Sequence, residues 1–201
     1  MPDVRHFDEA DAIESAELLF WRDGVRAVGV AQLSSATGLS RSSLYNAFGD
    51  KHGLYLAAVD RYLSTRALPS FVRLESAPDG VAGIRRFFDE LITARCSGPH
   101  RGWGCLIVNG SIELADSDLE ARARFTRHAD ALRTAFTAAL TRANDARELR
   151  RDTEIASHAE LLTLLAYGLT VRSRAGARHQ HLHAAVRAAL DPITPRPRRE
   201  P

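Results

Sequence analysis

The chain has little cysteine and almost no lysine, and both shortages narrow the possible classes of protein. Its 2 cysteines, Cys96 and Cys105, cannot form a disulfide framework, and their spacing matches no zinc-binding pattern. Among the 27 basic residues only Lys51 is a lysine, a bias that a GC-rich genome explains better than function, although arginine does bind phosphates well. The cysteine count therefore excludes a disulfide-stapled domain and a cysteine-ligated zinc module.

Long apolar runs are also missing. No stretch approaches the roughly 18 apolar residues that a membrane helix requires. The polar and acidic residues 1–12 do not resemble the apolar segment of a secretory signal. A composition of 45% hydrophobic and 26% charged residues is ordinary for a globular protein. We therefore predict a soluble, cytoplasmic protein that does not contact a membrane.

Charge is distributed unevenly near the N-terminus, although the formal net charge is only +2. Residues 1–21 are acidic with Arg5 as their one basic residue, and acids at the start of a first helix are favoured by its dipole. In residues 22–66 the basic side chains outnumber the acidic ones. This basic stretch is compatible with a nucleic-acid-binding surface.

Helical periodicity dominates the sequence. The residues Ala12, Ala16, Leu19 and Phe20 follow the spacing of one buried helical stripe. Short helices are predicted from Val30 to Thr37 and, after an N-cap at Ser40, up to Phe48, and a longer one follows an N-cap at Asp50. Further helices are predicted at Val81 to Arg95, Leu119 to Ala143, Thr153 to Ser173 and His179 to Leu190. Because no strand-like alternation persists, we predict an all-α chain of about nine helices.

Residues 30–48 have the features of a helix-turn-helix, a unit whose second helix enters the major groove of DNA. Leu44 and Phe48 lie four residues apart and are predicted to face the core. The polar residues left for DNA are Arg41, Ser42, Ser43, Tyr45 and Asn46. Arginine can pair with guanine and asparagine with adenine, while hydroxyls and Lys51 at a helix start suit phosphate oxygens. For Ser42 and Asn46, plain solvation is the open alternative.

The same segment resembles the DNA-binding signature of the tetracycline-repressor (TetR) family over residues 7–62. The resemblance is carried by AELLF at residues 16–20, by Gly24, and by LSSATGLSRSSLYNAFGDK at residues 33–51. It implies a transcriptional regulator in which Tyr45 and Lys51 contact the phosphate backbone and Arg41, Ser43 and Asn46 lie nearest the bases. One departure from the family pattern is Gly53, which is expected to loosen the start of the fourth helix by about 1 kcal/mol.

A second resemblance covers the regulatory half of one branch of that family, at residues 104–109 and 168–177. It implies a homodimer that pairs through the last two helices and holds an effector pocket between helices four and seven. The predicted domains are a helix-turn-helix DNA-binding domain (1–50), a helical ligand-binding and dimerisation domain (51–190) and a disordered tail (191–201). The predicted pairing faces are Ala159, Leu162, Thr163, Leu165, Ala166 and Leu169 on one helix and Ala184, Ala185, Ala188 and Ala189 on the next.

The effector pocket is predicted from large apolar residues, and nothing in the sequence names the ligand. An ordinary hydrophobic core is the alternative interpretation for most of them. The candidates are Phe71, Phe87, Phe88, Leu91, Trp103, Ile107, Phe125 and Phe136.

Cys105 and a histidine cluster are the remaining candidate sites. Cys105 stands beside glycines at a predicted helix start, where the dipole favours a reactive thiolate; a redox sensor and a buried structural cysteine are both open interpretations. Of the three histidines near the C-terminus, His179 and His183 share a helix face whereas His181 points away. We therefore predict no metal site, and no cofactor.

The function predicted from these features is a homodimeric repressor that binds a palindromic double-stranded DNA operator. A small-molecule or thiol-reactive effector would release it. Two alternatives are a thiol-dependent enzyme using Cys105 and an architectural DNA-binding protein without an effector. Because the sequence contains no nucleophile elbow, phosphate-binding loop or dinucleotide fingerprint, we predict that it is not an enzyme.

Overall fold

The computed structural model describes residues 8–195, and within that range the chain forms helices and turns without a strand. A π-helical turn, Leu63–Ala67, joins α4 (Lys51–Tyr62) to α5 (Leu68–Ser76), so that these segments form one continuous helix. The predicted all-α class is confirmed, and about nine helices is the right count for the described range when α4 and α5 are taken as one. The helices are α1 (Glu9–Asp23), α2 (Val30–Thr37), α3 (Arg41–Phe48), α4 (Lys51–Tyr62), α5 (Leu68–Ser76), α6 (Gly80–Cys96), α7 (Leu106–Leu114), α8 (Leu119–Asp145), α9 (Ile155–Arg174) and α10 (His179–Leu190).

Side-chain caps set the beginnings of α3 and α4. The Ser40 hydroxyl accepts a hydrogen bond from the Ser43 N–H at 3.1 Å, and the Asp50 carboxylate accepts one from the Gly53 N–H at 2.8 Å. Each satisfies a backbone donor that has no partner inside its helix. Both predicted N-caps are therefore confirmed. Gly38 ends α2 in the left-handed conformation (φ 70°), which glycine adopts without steric cost.

Gly53 makes a contact that the sequence did not reveal. A Cβ at this position would overlap the Phe48 carbonyl oxygen at the end of α3. The glycine therefore permits a close approach between α3 and α4. The expectation that Gly53 only loosens α4 omits this packing requirement.

The chain divides into two compact units, each with its own core. Unit 1 contains residues 8–66 and 105–125, which include α1 to α4 and α7. In it α1 packs on α2 and α4, and the Phe20 and Tyr55 rings meet edge to face at 5.2 Å. Unit 2 contains residues 67–104 and 126–195, in which α6, α9 and α10 pack on one another.

The observed packing of α9 corrects the predicted pairing face on that helix. Within unit 2 the core already buries Ala159, Leu162, Thr163, Ala166 and Leu169, and Leu165 is half-buried. The prediction was wrong because α9 is apolar on more than one side, and helical spacing alone cannot assign a side to a partner. The large apolar side chains that α9 leaves exposed are Leu161, Leu164 and Val171.

The first residues after α10 pack within unit 2. Ile193, placed by the sequence in a disordered tail, is buried, and its carbonyl accepts a hydrogen bond from the Arg150 N–H at 2.8 Å. Residues 196–201 of that tail lie outside the described residues. Across residues 8–195, none of the helices has both the length and the apolar character needed to cross a membrane.

Candidate nucleic-acid interface

Helix α3 turns one apolar residue inward and presents polar residues outward. Leu44 is 4% exposed, as predicted, and Phe48 at the end of the helix is half-buried. Of the predicted DNA-contacting residues on α3, Arg41, Ser42 and Asn46 are exposed, whereas Ser43 and Tyr45 are half-buried. All five are therefore available at least in part to a partner in the groove of a duplex.

Three serine hydroxyls meet at the start of α3. The Ser40 Oγ lies 2.9 Å from the Oγ atoms of both Ser42 and Ser43. Hydroxyls at a helix N-terminus are suited to phosphate oxygens, because they act together with the backbone N–H groups of the first turn.

Arg41 and Tyr45 interact along one face of α3. The Arg41 Nε donates a hydrogen bond to the Tyr45 hydroxyl at 3.2 Å, and the guanidinium lies 5.2 Å from the ring centroid. Asn46 makes no side-chain hydrogen bond with any other residue in the described range. The face therefore combines a stacked cation with an amide that can turn toward a ligand.

Lys51 is the first residue of α4 and is half-buried, with no ion pair to any described residue. Beside it, the His52 Nε2 lies 2.7 Å from the Asp118 Oδ2. Burial alone would raise the pKa of Asp118, but hydrogen bonds from the Ala121 N–H and from His52 outweigh it and hold that pKa below its usual range. Asp118 is therefore an anion that joins the start of α4 to the start of α8.

A buried carboxylate that the sequence analysis assigned only to the signature holds α1 against α4. Glu17 is fully buried and accepts hydrogen bonds from the Arg61 Nη1 at 2.6 Å and the Arg66 Nε at 2.5 Å. Arg61 also pairs with Glu14, and the Arg66 guanidinium lies over the Trp21 ring. The sequence could have indicated this burial by helical spacing, since Glu17 lies three residues before the buried Phe20 and so on the same side of α1.

The predicted pocket residues fall into both units. In unit 2, Phe87 contacts Phe71, Phe88 and Phe136 with ring centroids 5.2 to 6.3 Å apart, and Phe88 stacks on Phe136. Leu91 and Trp103 are half-buried in the same unit. In unit 1, Ile107 and Phe125 are buried.

A buried histidine paired with a half-buried tyrosine adjoins the aromatic cluster of unit 2, and the sequence analysis missed this pair. His128 is 4% exposed, and its Nδ1 lies 2.8 Å from the Tyr167 hydroxyl. The Phe71 ring meets the imidazole edge to face at 5.1 Å. A single histidine inside a helix with alternating charge carries no local signal, so only the packing of α5, α8 and α9 could reveal this pair.

The two cysteines have different surroundings. Cys105 is the N-cap residue of α7, is 4% exposed, and its Sγ accepts a hydrogen bond from the Tyr62 hydroxyl at 3.4 Å. Cys96 is half-buried, and burial raises the pKa of its thiol against the opposing effect of Arg101. Cys105 is thus the more enclosed thiol and has a hydrogen-bond donor on its sulfur.

The C-terminal histidines make pairwise contacts. The His179 and His183 rings lie 6.3 Å apart, and the His183 Nδ1 is 3.2 Å from the Asp89 Oδ1. Over residues 8–195, no group of three or more histidine, cysteine or acidic side chains is arranged to hold a metal ion.

The fold and this surface define the class of protein. A helix-turn-helix with a polar, partly cationic outer helix is the unit of a DNA-binding transcriptional regulator. The family model described as "Bacterial regulatory proteins, tetR family" matches residues 12–58, and that described as "Tetracyclin repressor-like, C-terminal domain" matches residues 80–189. The chain belongs to the TetR family.

Individual relatives agree with this assignment. The chain is 32% identical over 187 residues to YezE of Bacillus subtilis (strain 168), an uncharacterized HTH-type transcriptional regulator, covering 92% of this chain and 96% of YezE. It is 28% identical over 177 residues to the transcriptional repressor ComR of Escherichia coli (strain K12), and the match covers 88% of this chain and 84% of ComR. A cysteine mutant of the TetR-family regulator CifR, solved with 26-bp double-strand operator DNA, superposes on this chain with a TM-score of 0.81. The two chains are 26% identical, and the match covers 93% of this chain and 97% of CifR.

These findings confirm the resemblance and the prediction that the protein is not an enzyme. The thiol-dependent enzyme is therefore set aside.

Proposed function

We propose that the protein is a homodimeric repressor that binds a palindromic operator through α3 and is released by an effector. The observation that carries the proposal is the exposed polar face of α3, with Arg41 and Asn46 projecting from a helix whose Leu44 is anchored in the core. The operator complex of CifR supports a duplex as the partner.

The proposed DNA contacts divide into base-reading and phosphate-binding groups. Arg41, Ser43 and Asn46 read base edges, while Ser42, Tyr45 and Lys51 bind phosphate oxygens. To reach a base, the Arg41 guanidinium must leave the Tyr45 ring. That contact is partly exposed to solvent and costs only about 1 kcal/mol to break. When the Arg41 guanidinium leaves, the Tyr45 hydroxyl can bind a phosphate oxygen of the DNA.

The proposed dimer interface is the exposed apolar stripe on α9. Leu161, Leu164, Gly168 and Val171 are spaced three or four residues apart on one side of the helix, and all are exposed in the single chain. A second copy related by a twofold axis would cover this stripe with the same stripe of its own. On α10 the exposed Ala184 and Ala188 would allow helices to approach closely.

Two effector routes are proposed, and they differ in chemistry. In the first, a small aromatic ligand inserts among the phenylalanines of unit 2 and is oriented by His128 and Tyr167. In the second, a thiol-reactive compound modifies Cys105, whose sulfur is hydrogen-bonded by Tyr62. In both, the effector favours a conformation with weaker operator affinity. An architectural protein without an effector is the competing possibility.

Selection of bound duplexes from a random pool by the purified full-length protein tests the DNA proposal. We expect an inverted repeat to be enriched. Arg41→Ala should then reduce discrimination between operators, while Lys51→Ala should weaken all sequences alike and flatten the salt dependence. Arg133→Ala, an exposed arginine of unit 2, is the matched control. Salt-dependent binding without sequence preference would favour the architectural protein instead.

Alkylation with iodoacetamide tests the thiol route. A Cys96→Ser variant restricts the reaction to Cys105, and a Cys96→Ser/Cys105→Ser double variant, which has no thiol, serves as the unreactive control. We expect alkylation of the first variant, and not of the second, to weaken operator binding. Modified protein with unchanged operator affinity would eliminate Cys105 as a sensor.

A further inference from the structure

Residues 105–125 lie against the N-terminal helices of unit 1 at polar contacts that continue from α7 into α8. The Asn109 Nδ2 donates to the Trp21 carbonyl at 3.5 Å, and the Arg124 Nε donates to the Asp60 carboxylate at 3.0 Å. Between them along the chain, Glu113 contacts the turn that joins α1 to α2, residues 24–29. Of these three contacts, the one at Glu113 is nearest along the chain to the helix-turn-helix.

Glu113 holds that turn by two different groups. Its side-chain Oε2 accepts a hydrogen bond from the Arg26 backbone N–H at 2.9 Å, and its main-chain carbonyl accepts one from the Arg26 Nη2 at 2.6 Å. The carboxylate also lies so close to Gly24 that a Cβ there would overlap it. Gly24 has a positive φ of 89°, so glycine serves both the shape of the turn and the approach of Glu113.

The turn leads directly into the DNA-reading helices. The Val28 N–H donates to the Gly24 carbonyl at 3.3 Å, and Val28 is fully buried, so the turn is a defined structure with a fixed exit direction. Residue 30 begins α2, which passes through Gly38 into α3. A group that fixes the turn therefore also fixes the direction in which α3 is presented.

We propose that Glu113 is a positioning residue for DNA binding: it contacts no DNA, and it sets the angle of α2 and α3 by holding the turn at Gly24 and Arg26. The inference rests on the proposed operator binding. It adds a route of transmission, because α7 is only nine residues long and begins next to Cys105. A displacement at the thiol end of α7 would reach the Arg26 hydrogen bonds through one rigid helix.

The half-site spacing of the operator provides a readout that a purely structural role would not change. The operator selected by the wild type is compared with versions lengthened or shortened by one base pair between half-sites, and with an unrelated duplex. Binding is measured for the wild type, Glu113→Ala, Glu113→Gln, Arg26→Ala and the control Asp116→Ala. Asp116 is an exposed acid in the turn after α7, so the control removes the same charge without the contact.

We expect Glu113→Ala to weaken binding to the correctly spaced operator about tenfold. The altered spacings and the unrelated duplex should change little, so discrimination between spacings shrinks. Glu113→Gln should stay near the wild type because its amide oxygen can still accept from the Arg26 N–H. Arg26→Ala should show a smaller loss in the same direction, and Asp116→Ala none.

Two results would overturn the inference while leaving operator binding intact. One is Glu113→Ala with the spacing discrimination of the wild type; the other is an equal loss for all duplexes that follows a loss of thermal stability. If Glu113→Ala does not fold, Arg26→Ala decides the question by the same measurement, the affinity for the correctly spaced operator relative to the altered spacings. A wild type that ignores spacing would instead refute the proposed operator binding, and this inference with it.

Discussion

The two compact units satisfy their buried polar groups in different ways. In unit 1 the carboxylate of Glu17 is bonded across helices, by Arg61 and by Arg66. In unit 2 the buried hydroxyls are bonded within their own helix: Thr163 donates to the Ala159 carbonyl at 2.8 Å, and Ser173 to the Thr170 carbonyl at 2.7 Å. Unit 1 therefore ties separate helices together by directional bonds, whereas the hydroxyls of α9 place no constraint on the neighbouring helices.

This difference matches what each unit is proposed to do. A helix-turn-helix must be presented at a fixed angle, and hydrogen bonds between helices specify angles more sharply than apolar packing does. A ligand-responsive unit must have more than one packing arrangement, and a core of aromatic and aliphatic contacts permits repacking at a small cost. Some bonds of unit 2 depart from this pattern, because His128 and Tyr167 join α8 to α9, and the Arg142 Nη2 donates to the Leu74 carbonyl on α5 at 3.0 Å.

The largest effect is expected where unit 2 depends on volume. Phe136→Ala should lower the free energy of unfolding by about 4 kcal/mol, because it removes a fully buried ring in contact with Phe87 and Phe88. Phe136→Leu, which retains much of the volume, should cost about 1.5 kcal/mol. Urea unfolding followed by circular dichroism measures both. If the two variants lost equal stability, packing volume would not be what holds this unit together.

The second prediction concerns the directional bonds of unit 1. Glu17→Ala should cost about 3 kcal/mol, because it leaves the partly buried Arg66 without a carboxylate partner and leaves Arg61 with Glu14 alone. Glu17→Gln keeps the shape of the side chain and should still cost about 2 kcal/mol, because the arginines lose the negative charge. Retaining shape therefore recovers less of the stability here than Phe136→Leu recovers in unit 2. The same unfolding measurement applies, with the exposed Glu120→Gln as the control. A Glu17→Gln variant as stable as the wild type would remove the distinction between the units.

The sequence predicted the helix-turn-helix closely, because several local signals agree there. Ser40 and Asp50 cap their helices as expected, and the bounds predicted for α2 are those observed. On α3 the buried residue Leu44 fixes which side of the helix faces inward, and the polar residues lie on the other sides. Such agreement between caps, turns and periodicity is what makes a segment readable.

The sequence was less informative where contacts join distant parts of the chain. The inward side of α9 was assigned wrongly, since leucines occupy opposite sides of that helix and only tertiary packing distinguishes them. Glu17 and Glu113 read as ordinary acids, because their arginine partners are 44 and 87 residues away in the chain. The need for glycine at position 53 depends likewise on where the end of α3 lies.

A third, intermediate effect is expected at Gly53. On helix propensity alone, Gly53→Ala would stabilise α4 by about 1 kcal/mol. The added Cβ would overlap the Phe48 carbonyl, and moving this backbone group should instead give a net loss of about 2 kcal/mol. Because the overlap displaces α3, operator affinity should fall as well. Thermal unfolding and operator titration check the two effects, and a stabilised variant with normal affinity would show that α3 and α4 are not closely fitted.

The smallest effect is expected for a buried hydroxyl of α9. Thr163→Val keeps the shape of the side chain and removes a hydrogen bond to a carbonyl that already accepts one from its own helix. The free energy of unfolding should therefore change by no more than about 0.5 kcal/mol. Thr170→Val provides an independent repeat at a second hydroxyl bonded within the helix. A loss as large as that of Glu17→Ala would mean that the hydroxyls of α9 constrain its neighbours after all, and the contrast between a directionally bonded unit 1 and an adaptable unit 2 would no longer hold.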